Sequence, residues 1–254
     1  MVEGVALRDM VFDSVALGRP MRYRVAAPST VENRKLPVVY LLHGNGGDYR
    51  DWSNYSDVTK FARSGVLLVM PEGDNSYYVN AAEAPADKYG DYIVQDLVRD
   101  VEKKFPAAGD RANRAIAGVS MGGFGAIQIG LSHPDLYVFA GGLSAAIDVP
   151  RRAFSIKRIQ QYRAQELSFG AWDSASRHRN DPFVIASSAG PSSAPYFYLS
   201  CGDQEGLLAP NREFAALLTS RGLRHEFHEV SGGHDWNQWN GQLADLFERV
   251  WSGR

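Results

Sequence analysis

The chain has 254 residues, with 27 basic and 29 acidic side chains, a formal charge of −2, and 44% hydrophobic against 22% charged positions. That length and balance suit one large globular domain with a full core, and they argue against disorder. The near-neutral charge gives no support for a nucleic-acid or acidic-lipid partner, and with Cys201 as the one cysteine neither an internal disulfide nor a thiolate zinc cluster can form.

Apolar runs are short, as in GVLLVM (65–70), and none approaches the ~18 residues of a membrane helix. MVEGVALRDMVF at the N-terminus lacks a basic start followed by an apolar stretch, so no signal peptide is visible. The compartment stays open: cytoplasmic if the chain is full length, secreted if a leader was removed.

VALRDMVFDS and RPMRYRVAAP alternate apolar and polar residues around Gly18, which predicts an antiparallel strand pair. The pattern then changes to short apolar runs separated by helical stretches. PVVYLLHG (37–44), VLLVMPEG (66–73), RAIAGVS (114–120), LYVFAGGLS (136–144), PYFYLSCGD (195–203) and HEFHEVSGG (225–233) read as strands, and 92–105, 121–133, 211–221 and 236–251 as helices. Near-continuous apolar strands alternating with helices imply an α/β fold with a parallel sheet covered on both faces. The stretch 147–193 breaks the rhythm and reads as a helical, cap-like insertion over one end of the sheet, within a single domain spanning 1–254. It is locally basic, with Arg151, Arg152, Lys157, Arg158, Arg163, Arg177 and Arg179 against Asp148, Glu166, Asp173 and Asp181. A solvated helical face explains that excess more simply than an anion site.

GVSMGGFG (118–125) is a G-x-S-x-G with Ser120 at its centre, after a predicted strand and opening a predicted helix. That context defines a nucleophile elbow, where the serine sits on a sharp strand-to-helix turn. The flanking glycines remove Cβ atoms that would collide in so tight a turn, and Gly123 and Gly125 are expected to let the helix pack closely under the sheet. A phosphate-cradling glycine loop is the competing reading, but the chain lacks G-x-x-x-x-G-K-[ST].

A serine hydroxyl needs a base to take its proton. Among the histidines, His43, His133 and His178 have positions that suit structural roles. His225 and His228 lie three apart on a strand, so they face opposite sides and cannot share a metal. His234, in SGGHDWNQW, follows the last strand on a glycine-rich loop and is the base expected here. Asp203, directly after an apolar strand beside Gly202, is the expected orienting acid, with Glu205 and Asp235 as rivals. The order Ser120, Asp203, His234 is that of α/β-hydrolases. The oxyanion of an acyl transfer needs aimed N–H donors. Met121 N–H is the first, and Asn45 N–H, with Gly44 adjacent, is the second. No metal or organic cofactor is required.

In these pieces the chain resembles the esterase D branch of the α/β-hydrolases, which includes tributyrin-type carboxylesterases, feruloyl and acetylxylan esterases, S-formylglutathione hydrolases and mycolyltransferases of the antigen 85 type. The matching segments are YLLHGNGGDYRDW, MPEGDNSYYVN, the DYI…DLV…VEKKFP helix, RAIAGVSMGGFGAIQIGLSHPD, YFYLSCGDQE and GGHDWNQW. The resemblance implies a mostly parallel eight-stranded sheet, the triad above, and an acyl or alcohol pocket lined by GDNSYYVN (73–80). Gly46–Gly47 stand where S-formylglutathione hydrolases carry a cysteine-containing loop. Of the aromatics around these loops, Tyr77 and Tyr78 are the better candidates for substrate contact, because adjacent loop residues are hard to bury together; Trp236 and Trp239 share a helix face. The expected function is a serine carboxylesterase on short-chain acyl esters, with a small-molecule ester as partner and homo-oligomerisation left open. A feruloyl or acetylxylan esterase on plant cell-wall polysaccharide is the alternative; a non-catalytic binding relative fits poorly with a complete triad.

Overall fold

In a computed structural model that describes residues 2–31, 34–153 and 159–252, the two alternating segments form β1 (Val5–Ser14) and β2 (Arg19–Pro28). They pair antiparallel from Val5 opposite Pro28 to Ser14 opposite Arg19. The apolar runs follow as β3 (Val38–Leu42), β4 (Leu67–Pro71), β5 (Arg114–Val119), β6 (Phe139–Leu143), β7 (Tyr196–Gly202) and β8 (His225–Val230). All eight join one sheet in the order β1-β2-β4-β3-β5-β6-β7-β8. Pairing from β4 through β8 is parallel, and β2 meets β4 antiparallel. This is the α/β-hydrolase fold that the resemblance implies.

Parallel strands run the same way only if the chain crosses back over a face, and the helices lie on those crossovers, except the last, which follows β8. They are α1 (Asp51–Tyr55), α2 (Tyr89–Asp91), α3 (Val98–Lys104), α4 (Met121–Ser132), α5 (Ile159–Phe169), α6 (Ala175–Arg179), α7 (Pro182–Ser188), α8 (Leu208–Ser220) and α9 (Trp236–Ser252). Residues alternate between two cores: Val38, Tyr40 and Leu42 join one apolar cluster, Val39 and Leu41 the other. That two-sided burial is why the central strands read as unbroken apolar runs. Among the described residues, no helix is long and apolar enough to cross a membrane.

Two helix boundaries differ from expectation. The helix anticipated from Asn211 begins at Leu208, because Pro210 falls in the first turn, where its missing N–H has no partner to lose. The helix anticipated from Tyr92 begins at Tyr89 and passes through a π-helical segment, Tyr92–Leu97, before α3. Within that segment the nearly buried Asp96 accepts hydrogen bonds from Ser14 Oγ at 2.7 Å and Ala16 N–H at 2.8 Å. The first hairpin is thereby fastened to the sheet's covering helix.

Helix α4 is buried from Met121 through Leu131, which requires small residues where it approaches its neighbours. A Cβ at Gly122 would stand 2.2 Å from Leu42 O, and one at Gly130 2.7 Å from Ala140 Cβ. These two glycines set the closest approaches to the strands, and a Cβ at Gly123 would also lie 3.2 Å from Gly118 O in β5. Gly125 instead makes room for the Tyr78 ring, and Gly123 for Ala145.

After β6 the chain is pinned residue by residue. Ser144 N–H donates to Ser200 O at 2.7 Å, Ala145 O accepts from Asn211 Nδ2 at 2.8 Å, and Ala146 N–H donates to Ser120 O at 3.0 Å. The segment 147–193 then departs as a 3₁₀ turn (Val149–Arg151) and, within the described residues, α5, α6 and α7. Three of its basic residues, Arg151, Arg152 and Arg177, are engaged. Arg152 pairs with Asp148, and Arg151 with Asp181 and Glu213. Arg177 is buried and donates to Gly170 O, Ala171 O and Pro150 O. Lys157 and Arg158 lie outside the described residues.

Candidate active site

Ser120 follows β5 and precedes α4 with φ 55° and ψ −113°, a conformation that costs a non-glycine residue of order 1–3 kcal/mol. Three backbone hydrogen bonds hold it there: Ser120 N–H to Leu143 O at 2.9 Å, and Ser120 O from both Phe124 N–H and Ala146 N–H at 3.0 Å. The turn is sterically exclusive, since a Cβ at Gly118 would lie 2.3 Å from the carbonyl of Gly122. These contacts lift the Ser120 hydroxyl clear of the sheet at the carboxyl edge.

The loop after β8 brings His234 to that hydroxyl, with Nε2 2.9 Å from Ser120 Oγ. Its Nδ1 lies 2.6 Å from Glu205 Oε2, so the proton resides on Nδ1 and the bare Nε2 accepts from the serine. The Glu205 side chain is 1% exposed, against 40% for His234. Its second oxygen, Oε1, accepts from Ser144 Oγ at 2.5 Å and Gly202 N–H at 2.8 Å. Burial pushes the Glu205 carboxyl up, but the hydrogen bonds from His234, Ser144 and Gly202 outweigh it and hold the group below its ordinary range. The carboxylate is therefore ionised where the imidazole needs it.

Asp203, the carboxylate expected beside His234, is not its partner. It is exposed, and its Oδ1 accepts from Gly232 N–H at 3.0 Å while its own N–H bonds to Val230 O. It opens the turn directly after β7, and these two bonds to the end of β8 and to Gly232 brace the loop that carries the histidine. Glu205 comes after the chain has turned, with its N–H bonded back to Gly202 O at 3.3 Å. A Cβ at Gly202 would sit 2.7 Å from Glu205 Oε1 and 2.4 Å from Gly232 O. The glycine beside Asp203 was the legible signal: the space it leaves belongs to the glutamate two residues further on. Asp235 caps the start of α9 through Asn237 and Gln238 N–H groups.

Beside Ser120 lies the loop after β3. A Cβ at Gly44 would be 3.5 Å from Ser120 Cβ, so this main chain runs beside the nucleophile, with Asn45 exposed next to it. The neighbouring amides are engaged: Gly46 N–H donates to Asn75 Oδ1 at 2.7 Å and Gly47 N–H to Gly44 O at 3.1 Å. His43 is buried and anchors the loop, with Nδ1 2.8 Å from Gly44 O and Nε2 accepting from Gly73 N–H at 2.9 Å. Met121 N–H opens α4 directly after the nucleophile.

The aromatics divide differently from expectation. Tyr78 is fully buried and donates to His43 O at 3.0 Å, so it supports the loop from below and offers no surface to a substrate. Adjacent tyrosines fit together because both have positive φ, 54° and 58°, which sends the chain through a tight turn. Tyr77 is partly buried against Phe124 and Phe169. Trp236 is half-buried and packs edge-on to Trp52 and Trp239, which are themselves buried. Trp239 also meets His234 edge-to-face at 5.0 Å and donates from Nε1 to Ser144 Oγ at 2.9 Å. Ser144 does not stand out in the sequence, and Trp239 does so only as an aromatic near the site, because their contacts join segments far apart in the chain. Among the described residues, no group of three or more His, Cys, Asp or Glu could hold a metal ion.

A serine, an imidazole and a buried carboxylate in this arrangement, at the carboxyl edge of such a sheet, define a serine hydrolase of the α/β-hydrolase fold. Comparison with known proteins narrows the class. The chain belongs to the Esterase family, whose model matches residues 14–250, and it is a carboxylic ester hydrolase. An acetyl esterase of Caldicellulosiruptor saccharolyticus is 29% identical over 225 residues, 86% of this chain and 84% of that one. A ferulic acid esterase superposes with a TM-score of 0.82 at 25% identity, covering 97% of each chain. For the fold alone, a fluorophosphonate-binding serine hydrolase of Staphylococcus aureus gives a TM-score of 0.85 at 24% identity, covering 98% of this chain and 99% of that one.

Proposed function

We propose that the chain hydrolyses short-chain acyl esters, acetyl esters foremost, through Ser120, His234 and Glu205. The hydrogen-bonded series from Ser120 Oγ through His234 to Glu205 Oε2 carries this reading. Ser120 Oγ attacks the ester carbonyl as its proton passes to His234 Nε2, and the carbonyl π pair moves onto oxygen. Met121 N–H and a main-chain N–H of the 44–45 loop, from Asn45 with Gly44 adjacent, stabilise that oxyanion. Loss of one such donor typically costs about 3 kcal/mol of transition-state stabilisation. The tetrahedral adduct collapses as His234 gives the proton to the leaving alkoxide, which departs as alcohol. Water, activated by the same imidazole, then attacks the acyl-serine, and the acid is released with Ser120 Oγ–H restored. Glu205 stays ionised throughout and stabilises the transient imidazolium.

The acetyl preference rests on the acetyl esterase relative. A second reading, an aromatic acyl ester, draws on the ferulic acid esterase neighbour and on the half-buried Trp236 beside Trp52 and Tyr55. In both, 147–193 is a cap-like insertion of one domain and Gly44 lines the entry to Ser120. Turnover of p-nitrophenyl acetate and butyrate against methyl ferulate separates the two: an aryl pocket reverses the ranking. Ser120→Ala is expected to abolish all three activities with melting unchanged, and retained turnover would sink the assignment.

A further inference from the structure

Glu205 does not face the imidazole unaided. Its Oε1 is bonded to Ser144 Oγ at 2.5 Å, and Ser144 Oγ in turn lies 2.9 Å from Trp239 Nε1. An indole N–H can only donate and an ionised carboxylate can only accept. The hydroxyl between them therefore has one available arrangement: it accepts from Trp239 and donates to Glu205. A freely rotating serine hydroxyl has thus become a directed one. Ser144 itself is fully buried at φ 48°, tied through its N–H to Ser200 O. That is an uncommon backbone conformation for serine, held by the pinned segment after β6.

Trp239 touches the site twice. Its ring meets the His234 imidazole edge-to-face at 5.0 Å and 87°, while its Nε1–H reaches Glu205 through Ser144. One side chain on α9 consequently references both the base and its acid to the same rigid helix.

Resting on the esterase reading above, we propose that Ser144 and Trp239 are positioning residues that clamp Oε1 of Glu205 so that Oε2 is presented to His234 Nδ1. Without the clamp, the carboxylate keeps only the Gly202 N–H on that oxygen and is free to rotate away from the imidazole. The effect falls on the chemical step, where the imidazolium forms, and leaves substrate binding alone.

The test compares Ser144→Ala, Ser144→Gly, Trp239→Phe and the Ser144→Ala/Trp239→Phe double variant with wild type on p-nitrophenyl acetate. Gly relieves the positive φ, and Phe keeps the ring on His234 while removing the N–H. A hydrogen bond to a charged group corresponds to roughly 10- to 100-fold in rate, and one between neutral groups to roughly 3- to 10-fold. Both Ser144 variants should therefore lose about 10- to 100-fold in kcat and Trp239→Phe about 3- to 10-fold, each with KM within about twofold. The double variant should match Ser144→Ala alone, since both changes remove one clamp. The downfield proton resonance of His234 Nδ1–H should broaden or move upfield in every variant. Unchanged kcat and an unchanged resonance in folded Ser144→Ala and Ser144→Gly would overturn the clamp, as would losses that multiply in the double variant. Ser120→Ala run alongside keeps the two ideas apart: if it retains turnover the esterase reading fails, and if it is inactive a negative result for Ser144 counts against the clamp alone.

Discussion

Glu205→Gln and Asp203→Asn form a pair in which two acids, two residues apart, are stripped of charge with almost no change in shape. The geometry assigns them opposite consequences. Glu205 Oε2 lies 2.6 Å from His234 Nδ1 on a side chain that is 1% exposed. An amide there loses the charge that stabilises the imidazolium. Its NH2 can also turn toward Nδ1, which moves the imidazole proton to Nε2 and blocks acceptance from Ser120. Comparable amide substitution in a serine protease triad lowers kcat about 10⁴-fold, and a fall of about 10³- to 10⁴-fold is expected here, with KM little altered. Asp203→Asn removes one exposed acceptor of the Gly232 N–H, and the amide oxygen of Asn can replace it. The expected change in kcat is less than about tenfold, because a single exposed hydrogen bond contributes about 1 kcal/mol. Steady-state hydrolysis of p-nitrophenyl acetate, with melting curves to establish folding, measures both. A collapse of activity in Asp203→Asn together with near-normal Glu205→Gln would refute the reasoning and return the acid role to Asp203.

Further outcomes follow from the same contacts. Hydrogen bonds hold the Glu205 carboxyl below its ordinary range despite burial, so its ionised form stabilises the fold above the unfolded-chain value of ~4.3 and loses that contribution as pH falls through the lower folded value. Glu205→Gln should therefore melt below wild type at neutral pH, with the gap closing as pH drops through the acid range; a gap independent of pH would contradict the shift. Gly122→Ala places a Cβ 2.2 Å from Leu42 O, a backbone atom that cannot step aside. It should cost about 3 kcal/mol or more in calorimetric or denaturant unfolding, and a loss under 1 kcal/mol would show that α4 can shift. Burial, followed by the nearby Glu205 charge, pushes the Cys201 thiol up to about 12. Native protein should resist a thiol reagent at pH 8 and react only with denaturant present, whereas rapid native labelling would show that β7 opens.

The strands were legible because both faces of the sheet are covered, so each interior strand carries its own apolar signature. The elbow was legible for a different reason: tight backbone packing leaves glycines at fixed offsets from Ser120. The acid was not, since Asp203 and Glu205 differ only in whether the chain has finished turning, and that depends on the Gly232 loop arriving from another strand. The burial of Tyr78 is not legible locally because it depends on Gly73 in its own loop and on Gly125 of α4, which together vacate the space its ring fills. Ser144 carries no local pattern, and the spacing of Trp239 from Trp236 marks only a shared helix face. Their contacts with Glu205 and His234 exist only after β6, β7 and α9 have assembled.

The segment leaving β6 is fastened at three successive residues before 147–193 begins: Ser144 to β7, Ala145 to α8 and Ala146 to the carbonyl of the nucleophile itself. The segment 147–193 thus hangs from a mooring that the rest of the chain supplies. Grafting a different segment after Ala146 is therefore expected to leave the reacting atoms in place.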